Sequence, residues 1–245
     1  MALPNCFKPK KNYSLDRVGK NFDGGYLVSK KTILKSDTLL SLGINDDWSF
    51  EKNFKKINSE AKVLCYDDKP ILKYLLKKLI IDVVFFINHL SLSKIYTSFK
   101  KMVFFLKDKK EIIFNKKKIA YGDLKEIIRN IESNSIFLKV DIEGFEYRIL
   151  NEILSYQKKF TGIIVEFHDI DYHKDSIKNF INKLELQLVH IHPNNASLID
   201  HNNDPTCVEI TFEKNPIERD GDVYLPHKLD MRNTPTKKDI FLSFE

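Results

Sequence analysis

The chain has 245 residues, 42% of them hydrophobic, with only 8 glycines and 8 prolines. This length and composition predict a single α/β domain over residues 1–245 and exclude a linker or a low-complexity protein. The formal charge of +6 is mild and spread thinly, so it permits an acidic or phosphorylated substrate but predicts no nucleic-acid partner. The three cysteines are odd in number and the N-terminus has no apolar signal core, which together predict a cytoplasmic protein.

A turn signal stands near the start of the chain. Asp23, Gly24 and Gly25 predict a tight turn, and the following residues, from Tyr26, predict a strand. An ordinary hairpin explains the pattern equally well. The functional alternative is a lip over the end of a sheet, with Arg17 available to an anionic group. We therefore take Arg17, Asp23 and Tyr26 as candidate substrate-binding residues.

The next two strands end in a glycine and in acids. Leu39 to Leu42 predict a short buried strand, and Gly43 after it would let a nucleotide-like ligand approach the backbone. The GxGxxG fingerprint is absent, which argues against a nicotinamide or flavin site. Asp67 ends the next strand, 24 residues after Gly43. This is close to the offset of about 20 residues at which an acid can bind a ribose diol. Asp68 is its rival, and a plain turn acid before Pro70 is the simpler alternative.

The segment 70–110 is rich in Leu, Ile, Phe and Lys, and it predicts one or two long helices inserted into the domain. Lysines interrupt it too often for an uncharged run of membrane-spanning length. Helices that are apolar on several faces are buried somewhere. We expect them to pack on the domain and on a second subunit, giving a homodimer. A helix at the inner membrane surface is the alternative.

The chain is organised around a strand that ends in acids. Ile136 to Val140 predict a buried strand, and Asp141, Glu143 and Glu146 follow it before a helix. Acids also favour a helix N-terminus, which is the simpler reading. However, three acids in six residues exceed what a cap needs, and ligands of parallel sheets bind at this end. Asp123, in the helix predicted at 122–131, is a further cofactor-binding candidate.

Two later strands carry histidines. Glu166 and His168 share one face near the end of the strand predicted at 161–168. His192 lies near the end of another predicted strand, and Asn194 follows in a turn. A lone histidine is more often structural than catalytic, but these converge on the side that holds Asp141. The polar tail, 215–245, is expected to strap onto the domain.

These stretches resemble the FkbM-type S-adenosylmethionine-dependent methyltransferases. The resemblance covers the chain from about residue 17 to its end, without 70–118, and LKVDIEGFE is its most specific motif. The first loop departs from many methyltransferases, with Ile44 and Asn45 in place of further glycines. The matching motifs are DGGY (23–26), SLGI (41–44), WSFE (48–51), LKVDIEGFE (138–146), EFH (166–168), HPNN (192–195) and the tail residues Leu229, Asp230, Asn233 and Pro235.

The resemblance implies a doubly wound, seven-stranded mixed sheet of the Rossmann-like methyltransferase type, with an antiparallel last strand. It implies methyl transfer from S-adenosylmethionine to a hydroxyl, often on a sugar, and we expect a saccharide or sugar nucleotide of surface-polysaccharide biosynthesis. The alternatives are a nicotinamide-dependent sugar oxidoreductase and a non-catalytic membrane or assembly module. The expected cofactor-binding residues are Gly43, Asn45, Asp67, Asp68, Asp123 and Asp141.

The expected chemistry needs a base, because a sugar hydroxyl is a poor nucleophile. His168 is the natural choice because a histidine titrates near neutral pH. In the alternative, Asp141, Glu166 and His168 hold Mg²⁺ or Mn²⁺, which would acidify the hydroxyl. The expected catalytic residues are thus His168, Asp141, Glu166 and His192. The acceptor is expected to contact Arg17, Asp23, Tyr26, Glu143 and Asn194.

Overall fold

The structure is a computed structural model that describes residues 3–69, 71–89, 92–200 and 204–245. Its strands are β1 (Asn12–Tyr13), β2 (Asp16–Gly19), β3 (Gly25–Val28), β4 (Thr38–Leu42), β5 (Lys62–Asp67), β6 (Ile112–Lys116), β7 (Ile136–Val140), β8 (Phe160–Phe167), β9 (Gln187–Pro193), β10 (Val208–Glu213) and β11 (Glu218–Arg219). Its α-helices are α1 (Lys30–Leu34), α2 (Ser49–Ile57), α3 (Ile71–His89), α4 (Leu92–Asp108), α5 (Asp123–Arg129), α6 (Leu150–Tyr156) and α7 (Ile170–Lys183).

Among the described residues, seven strands form one mixed sheet in the order β6-β5-β4-β7-β8-β10-β9. The strands from β6 to β8 pair in parallel, and β10 runs antiparallel between β8 and β9. The predicted fold class, a doubly wound sheet with an antiparallel last strand, is confirmed. The order reverses between β4 and β7, and ligands of such sheets bind beyond the carboxyl ends of the strands at this reversal.

The two faces of the sheet carry separate hydrophobic clusters. Leu138 and Val140 of β7 point into the cluster that contains α5, α6 and α7. Phe137 points to the opposite face, where it meets Phe50 and Phe54 of α2. Because successive residues of a strand face opposite sides, an apolar run such as β7 can stabilise both layers. Each such buried side chain contributes roughly 1.5–3 kcal/mol.

The turn at residues 23–25 forms the hairpin β2–β3, which packs on α2. Arg17 donates from Nε to the Lys20 carbonyl at 3.3 Å and from Nη2 to the Phe22 carbonyl. Its guanidinium therefore closes the turn. The hairpin lies beside the end of the sheet through Gly24 and Tyr26, which line a cavity described below.

Helices α3 and α4 follow β5 and precede β6 along the chain, and they pack against each other. They form the insertion expected at 70–110, of which residues 70, 90 and 91 lie outside the described residues. Their inner side buries Leu75 and Phe105 against the α2 face of the sheet. Trp48 anchors α4, with its ring 5.6 Å from that of Phe105 and its Nε1 donating to Asp108 at 2.9 Å. None of the described helices combines the length and the apolar character needed to cross a bilayer.

The C-terminal segment returns to the start of the chain. β11 pairs antiparallel with β1, and Leu3 donates its backbone N–H to the Ser243 carbonyl at 2.8 Å. Leu225, Leu242 and Phe244 pack against the main hydrophobic cluster. These contacts bring the intervening residues 230–234 over the sheet end that carries the histidines.

Candidate active site

Two cavities lie at the carboxyl ends of β4, β5, β7 and β8. The first has a volume of about 280 Å³ and the second about 470 Å³. Asn45, Asp141 and Glu143 line both, so the cavities adjoin at these residues. We call the first the nucleoside cavity, after the ligand that this half of the sheet is expected to hold, and the second the acceptor cavity.

The glycine after β4 is required by the packing of two loops. Gly43 has φ +76°, and a Cβ built on it would lie 1.6 Å from the Asp141 carbonyl oxygen. Asn45, at φ +45°, continues the turn in the same left-handed region. Gly43 therefore lets the loop after β4 contact the loop after β7, which joins the two cavities. From the sequence, we expected this glycine to let a ligand approach the backbone.

The two candidate ribose-binding acids differ in their partners. Asp67 Oδ2 accepts the backbone N–H groups of Ile44 at 3.0 Å and Asn45 at 2.8 Å. Its Oδ1 accepts the Lys69 N–H at 2.8 Å. Asp68 is exposed on the wall of the nucleoside cavity. Asp67 thus fixes the shape of the loop, and Asp68 offers a carboxylate to a ligand.

Asp123 lies apart from this site. Its carboxylate accepts the Ala120 N–H at 2.7 Å and binds Lys117 Nζ at 3.0 Å, and within the described chain it does not line the nucleoside cavity. Several side chains that line the nucleoside cavity were not predicted from the sequence. They are Tyr66, Lys117, Lys118, Ile119, Ile142 and Phe145.

A buried lysine forms part of the acceptor cavity. Lys139 interrupts the apolar run of β7 and donates from Nζ to the Gly43 carbonyl at 3.1 Å. Its Nζ lies 3.7 Å from Asp141 Oδ2. Burial alone would lower the pKa of Lys139, but Asp141, Glu51 and Glu166 outweigh it and raise the pKa. Burial raises the pKa of Asp141, against the attraction of Lys139. The sequence analysis missed Lys139, although a lysine inside a buried strand signals a paired charge.

His168 is held by a carboxylate from the neighbouring loop. Its Nδ1 lies 3.0 Å from Glu146 Oε1, and Glu146 is fully buried. The same oxygen accepts the N–H groups of Ile142 at 3.1 Å and Gly144 at 3.2 Å. Nε2 lies farther from carboxylates, 3.6 Å from Glu143 and 3.9 Å from Glu166. Nε2 is therefore the ring nitrogen that remains for a ligand in the acceptor cavity.

The charge on His168 follows from these neighbours. Burial alone would lower its pKa, but the hydrogen bond and charge of Glu146, with the charges of Glu166 and Asp141, raise the pKa to about 9. The imidazole is then mostly protonated at neutral pH, whereas the sequence led us to expect titration near neutrality. Glu146 was recognised as one acid of the loop, but its contact with His168 was not predicted.

Glu166 lines the acceptor cavity. Its carboxyl group accepts hydrogen bonds from Asn194 Nδ2 at 2.8 Å, Cys207 Sγ at 3.3 Å and the Tyr26 hydroxyl at 3.5 Å. Burial, followed by the charges of Asp141 and Glu209, raises the pKa of Glu166 to about 8. Glu166 and His168 are therefore close together in the same cavity as Asp141, as expected from the sequence.

Within the described chain, His192 and Arg17 line neither cavity. His192 donates from Nε2 to Asn233 Oδ1 at 3.2 Å, and its Nδ1 lies 3.7 Å from Asp230. Asn233 in turn lines the acceptor cavity. His192 thus reaches the site only through the C-terminal segment. The other expected acceptor residues, Asp23, Tyr26, Glu143 and Asn194, all line the acceptor cavity.

The donor set does not fit the expected magnesium or manganese ion. In the described part of the chain, the group that could converge on a metal is Glu166, His168 and Cys207, and Asp141 is not a member. Burial raises the pKa of the Cys207 thiol well above its usual range. Mg²⁺ and Mn²⁺ prefer oxygen ligands, and a protonated thiol is a poor ligand for either. The structure therefore gives no support to the alternative in which Asp141, Glu166 and His168 hold a cation.

Comparisons with known proteins find similarity in fold but no match in sequence. No protein-family model and no curated protein matches the sequence. Among solved structures, precorrin-6y C5,15-methyltransferase from Geobacter metallireducens GS-15 is 11% identical, with a TM-score of 0.41 over 76% of this chain and 85% of that one. TYW2 of M. jannaschii in complex with AdoMet is 9% identical, with a TM-score of 0.37 over 84% and 89%. A putative rRNA methylase from Clostridium thermocellum is 9% identical, with a TM-score of 0.41 over 78% and 92%. Similarity at this level assigns no substrate to this chain.

Proposed function

We propose that the protein is an S-adenosylmethionine-dependent O-methyltransferase that acts on a hydroxyl group of a saccharide. The observation that supports this most directly is His168, whose Nδ1 is bound by buried Glu146 while Nε2 faces the acceptor cavity. A histidine oriented by a buried carboxylate is suited to accept the proton of a hydroxyl group. The adjoining nucleoside cavity provides a place for a methyl donor.

The nucleoside cavity suits the cofactor through its acids and its flat side chains. Asp68 on the loop after β5 would accept hydrogen bonds from a ribose diol, since both oxygens of Asp67 already bind backbone N–H groups. Tyr66 and Phe145 line the same cavity and offer ring surfaces to the cofactor's nucleobase. Asp141 and Glu143, at the junction of the cavities, favour a positive charge there. When bound, S-adenosylmethionine supplies a methyl group on a positively charged sulfur.

The acceptor cavity is lined by more carboxyl groups than amines. The carboxyl groups that line it are those of Asp23, Asp46, Asp47, Glu51, Asp141, Glu143 and Glu166, against the cationic side chains of Lys20, Lys139 and His168. Carboxylates bind sugar hydroxyl groups well and repel phosphate. We infer from this balance that the cavity takes a saccharide hydroxyl rather than a nucleic acid, and that a sugar nucleotide would keep its phosphates outside the cavity.

The residues of the site divide the work of the reaction. Asn194, Tyr26 and Glu166 would position the sugar with its hydroxyl oxygen in line with the methyl group that a bound cofactor would supply, the cofactor's sulfur being the leaving group. His168 Nε2 takes the proton of the hydroxyl group, which requires the neutral imidazole. Glu146 holds the Nδ1 proton and stabilises the imidazolium that forms. The products are a methyl ether and S-adenosylhomocysteine.

Calorimetry with S-adenosylmethionine tests the cofactor assignment. The unchanged protein should bind it, and Asp68→Asn should weaken binding about 10- to 150-fold, because hydrogen bonds to a charged group are worth about 1.5–3 kcal/mol. Asp175→Asn, an exposed acid on α7, is the matched control and should bind normally. Binding of a nicotinamide dinucleotide instead would favour the oxidoreductase alternative.

Mass spectrometry after incubation with saccharides and sugar nucleotides tests the acceptor. We expect a mass gain of one methyl group on a saccharide. If S-adenosylmethionine binds and no saccharide is methylated while an amine or an RNA is, the acceptor assignment is wrong.

A further inference from the structure

Helix α4 carries an exposed apolar stripe. Leu92, Tyr96, Phe99, Val103 and Leu106 are each 40% to 67% exposed. They are separated by four, three, four and three residues, a spacing that places them along one side of a helix. Phe105 lies on the inner side of the helix and is buried.

Helix α3 repeats this arrangement. Leu72, Leu76, Ile80 and Val83 are each 39% to 63% exposed, while Leu75 is buried against the domain. The contact between α3 and α4 therefore leaves apolar residues of both helices in solvent. Large apolar side chains exposed along two adjacent helices point to an interaction site.

The same helices are strongly basic. Residues 71–110 contain nine lysines and only two acids, Asp82 and Asp108. Both aspartates have partners: Asp82 accepts a hydrogen bond from Ser98, and Asp108 binds Trp48 and Lys52. The segment thus combines apolar stripes with an excess of positive charge that its own acids do not balance.

We propose that α3 and α4 dock on an anionic lipid surface, with the apolar stripes among the headgroups and the lysines on the lipid phosphates. Apolar stripes flanked by lysines are the pattern of helices that lie in a membrane interface. A two-fold contact with a second copy would bring two lysine-rich surfaces together, with both aspartates already bound. A nucleic acid would bind the lysines but leave the stripes in water. This inference does not depend on the proposed reaction.

The position of these helices connects the surface to the site. Asp46, which lines the acceptor cavity, binds Lys101 at 2.7 Å and Lys78 at 3.4 Å. Docking would hold the acceptor cavity next to the lipid surface. One consequence rests on the proposed function: an acceptor saccharide carried on a lipid would then meet the site without leaving the membrane.

Vesicle flotation of the full-length protein tests the proposal. We expect the protein to float with vesicles of phosphatidylcholine mixed with phosphatidylglycerol and to stay behind with phosphatidylcholine alone. Added salt should reduce binding, because it screens the lysines. The double variant Lys73→Gln/Lys77→Gln should bind on the order of 20-fold more weakly, at about fivefold per lysine. Lys178→Gln/Lys183→Gln, on exposed positions of α7, is the matched control and should bind as before.

The variant Phe99→Gln/Val103→Gln tests the contribution of the apolar stripe on α4. It should no longer float with the vesicles, while its S-adenosylmethionine binding and its thermal unfolding transition should match those of the unchanged protein. Failure of the unchanged protein to float with anionic vesicles would overturn the proposal, and so would equal flotation with neutral ones. A dimer in light scattering that dissociates in the Phe99/Val103 variant would show that a second copy covers this surface instead.

Discussion

The pairing of His168 with Glu146 sets the expected pH dependence of the reaction. Since the base must be neutral and its pKa is raised to about 9, methyl transfer should increase with pH up to about 9. At pH 7 on the order of 1% of His168 would be neutral. Glu166, with a pKa of about 8, titrates in the same range, so the measured values belong to the pair. Initial rates across pH measure this profile, and a rate independent of pH would contradict it.

Two substitutions separate the roles of this pair. His168→Gln should lower turnover about 10²- to 10⁴-fold and leave cofactor affinity nearly intact. Glu146→Gln removes the negative partner, so the pKa of His168 should fall and the rising limb should move to lower pH, with a lower plateau. His173→Gln is the matched control, because His173 stacks on Tyr147 and lies outside the cavity lining. A profile that does not move in Glu146→Gln would show that Glu146 does not act through His168.

At the scale of elements, the loop after β4 depends on the contact between Gly43 and Asp141. Gly43→Ala should destabilise the protein by more than the roughly 1–2 kcal/mol of a left-handed alanine, because its Cβ would overlap the Asp141 carbonyl. Gly122→Ala is the matched control, since Gly122 has φ +88° with no atom within 4 Å of its built Cβ. Denaturant unfolding measures both. Equal losses of unfolding free energy would show that the contact with Asp141 is unimportant.

Helix boundaries were harder to predict than the strands. The amphipathic pattern of residues 176–184 predicts a helix over that range. Helix α7 begins six residues earlier, at Ile170, because Asp169 adopts φ +49° and Ile170 donates its N–H to the Thr206 carbonyl. Thr206 is distant in sequence, so this start depends on tertiary structure. The strand ends were predicted well, because apolar runs such as Ile136 to Val140 stop at polar residues where a buried strand stops.

At the scale of the whole molecule, the sheet order decides which predicted residues meet. Asp141 and His168 follow β7 and β8, which are neighbours, as expected from the sequence. His192 was expected beside them, but β10 lies between β8 and β9. Glu209 of β10 pairs with Glu166 of β8 on one side and with His192 of β9 on the other. His192 is therefore two strands, or about 10 Å, from Glu166. No local pattern reports the insertion of a late strand between two earlier ones.

The contact between His168 and Glu146 was not predicted for a different reason. The two residues are 22 positions apart, and their contact depends on how the loops after β7 and β8 fold toward each other. Spacing on a strand shows which face a side chain takes, as it did for Glu166 and His168. It does not show which loop side chain folds back onto that face.

The C-terminal segment is held by buried charges on the far half of the sheet. Asp230 lies 3.0 Å from His190 Nε2 and 3.7 Å from His192 Nδ1. Burial alone would lower the pKa of His192, but the Asp230 hydrogen bond, with the charges of Glu209, Asp230 and Asp239, raises the pKa to about 9. Burial would raise the pKa of Asp230, but the two histidines hold it well below its usual range. The protonated imidazole thus binds the segment to β9.

This pairing predicts that stability falls in alkaline solution. The folded pKa of His192 is above the unfolded value of about 6.5, so its contribution is complete below pH 6.5 and is lost as pH rises through about 9. The loss should be up to about 3 kcal/mol, at 1.36 kcal/mol per pKa unit. The raised pKa values of His168 and Glu166 also lower the free energy of unfolding as pH rises through this range. The test therefore compares the stability curves of two variants. Asp230→Asn should reduce the His192 contribution, since only the charges of Glu209 and Asp239 would still raise its pKa. The stability curve between pH 6.5 and 9 should therefore be flatter than that of Asp222→Asn, an exposed acid of the same segment. Denaturant unfolding at each pH measures both curves, and parallel curves for the two variants would show that Asp230 does not hold the segment through His192.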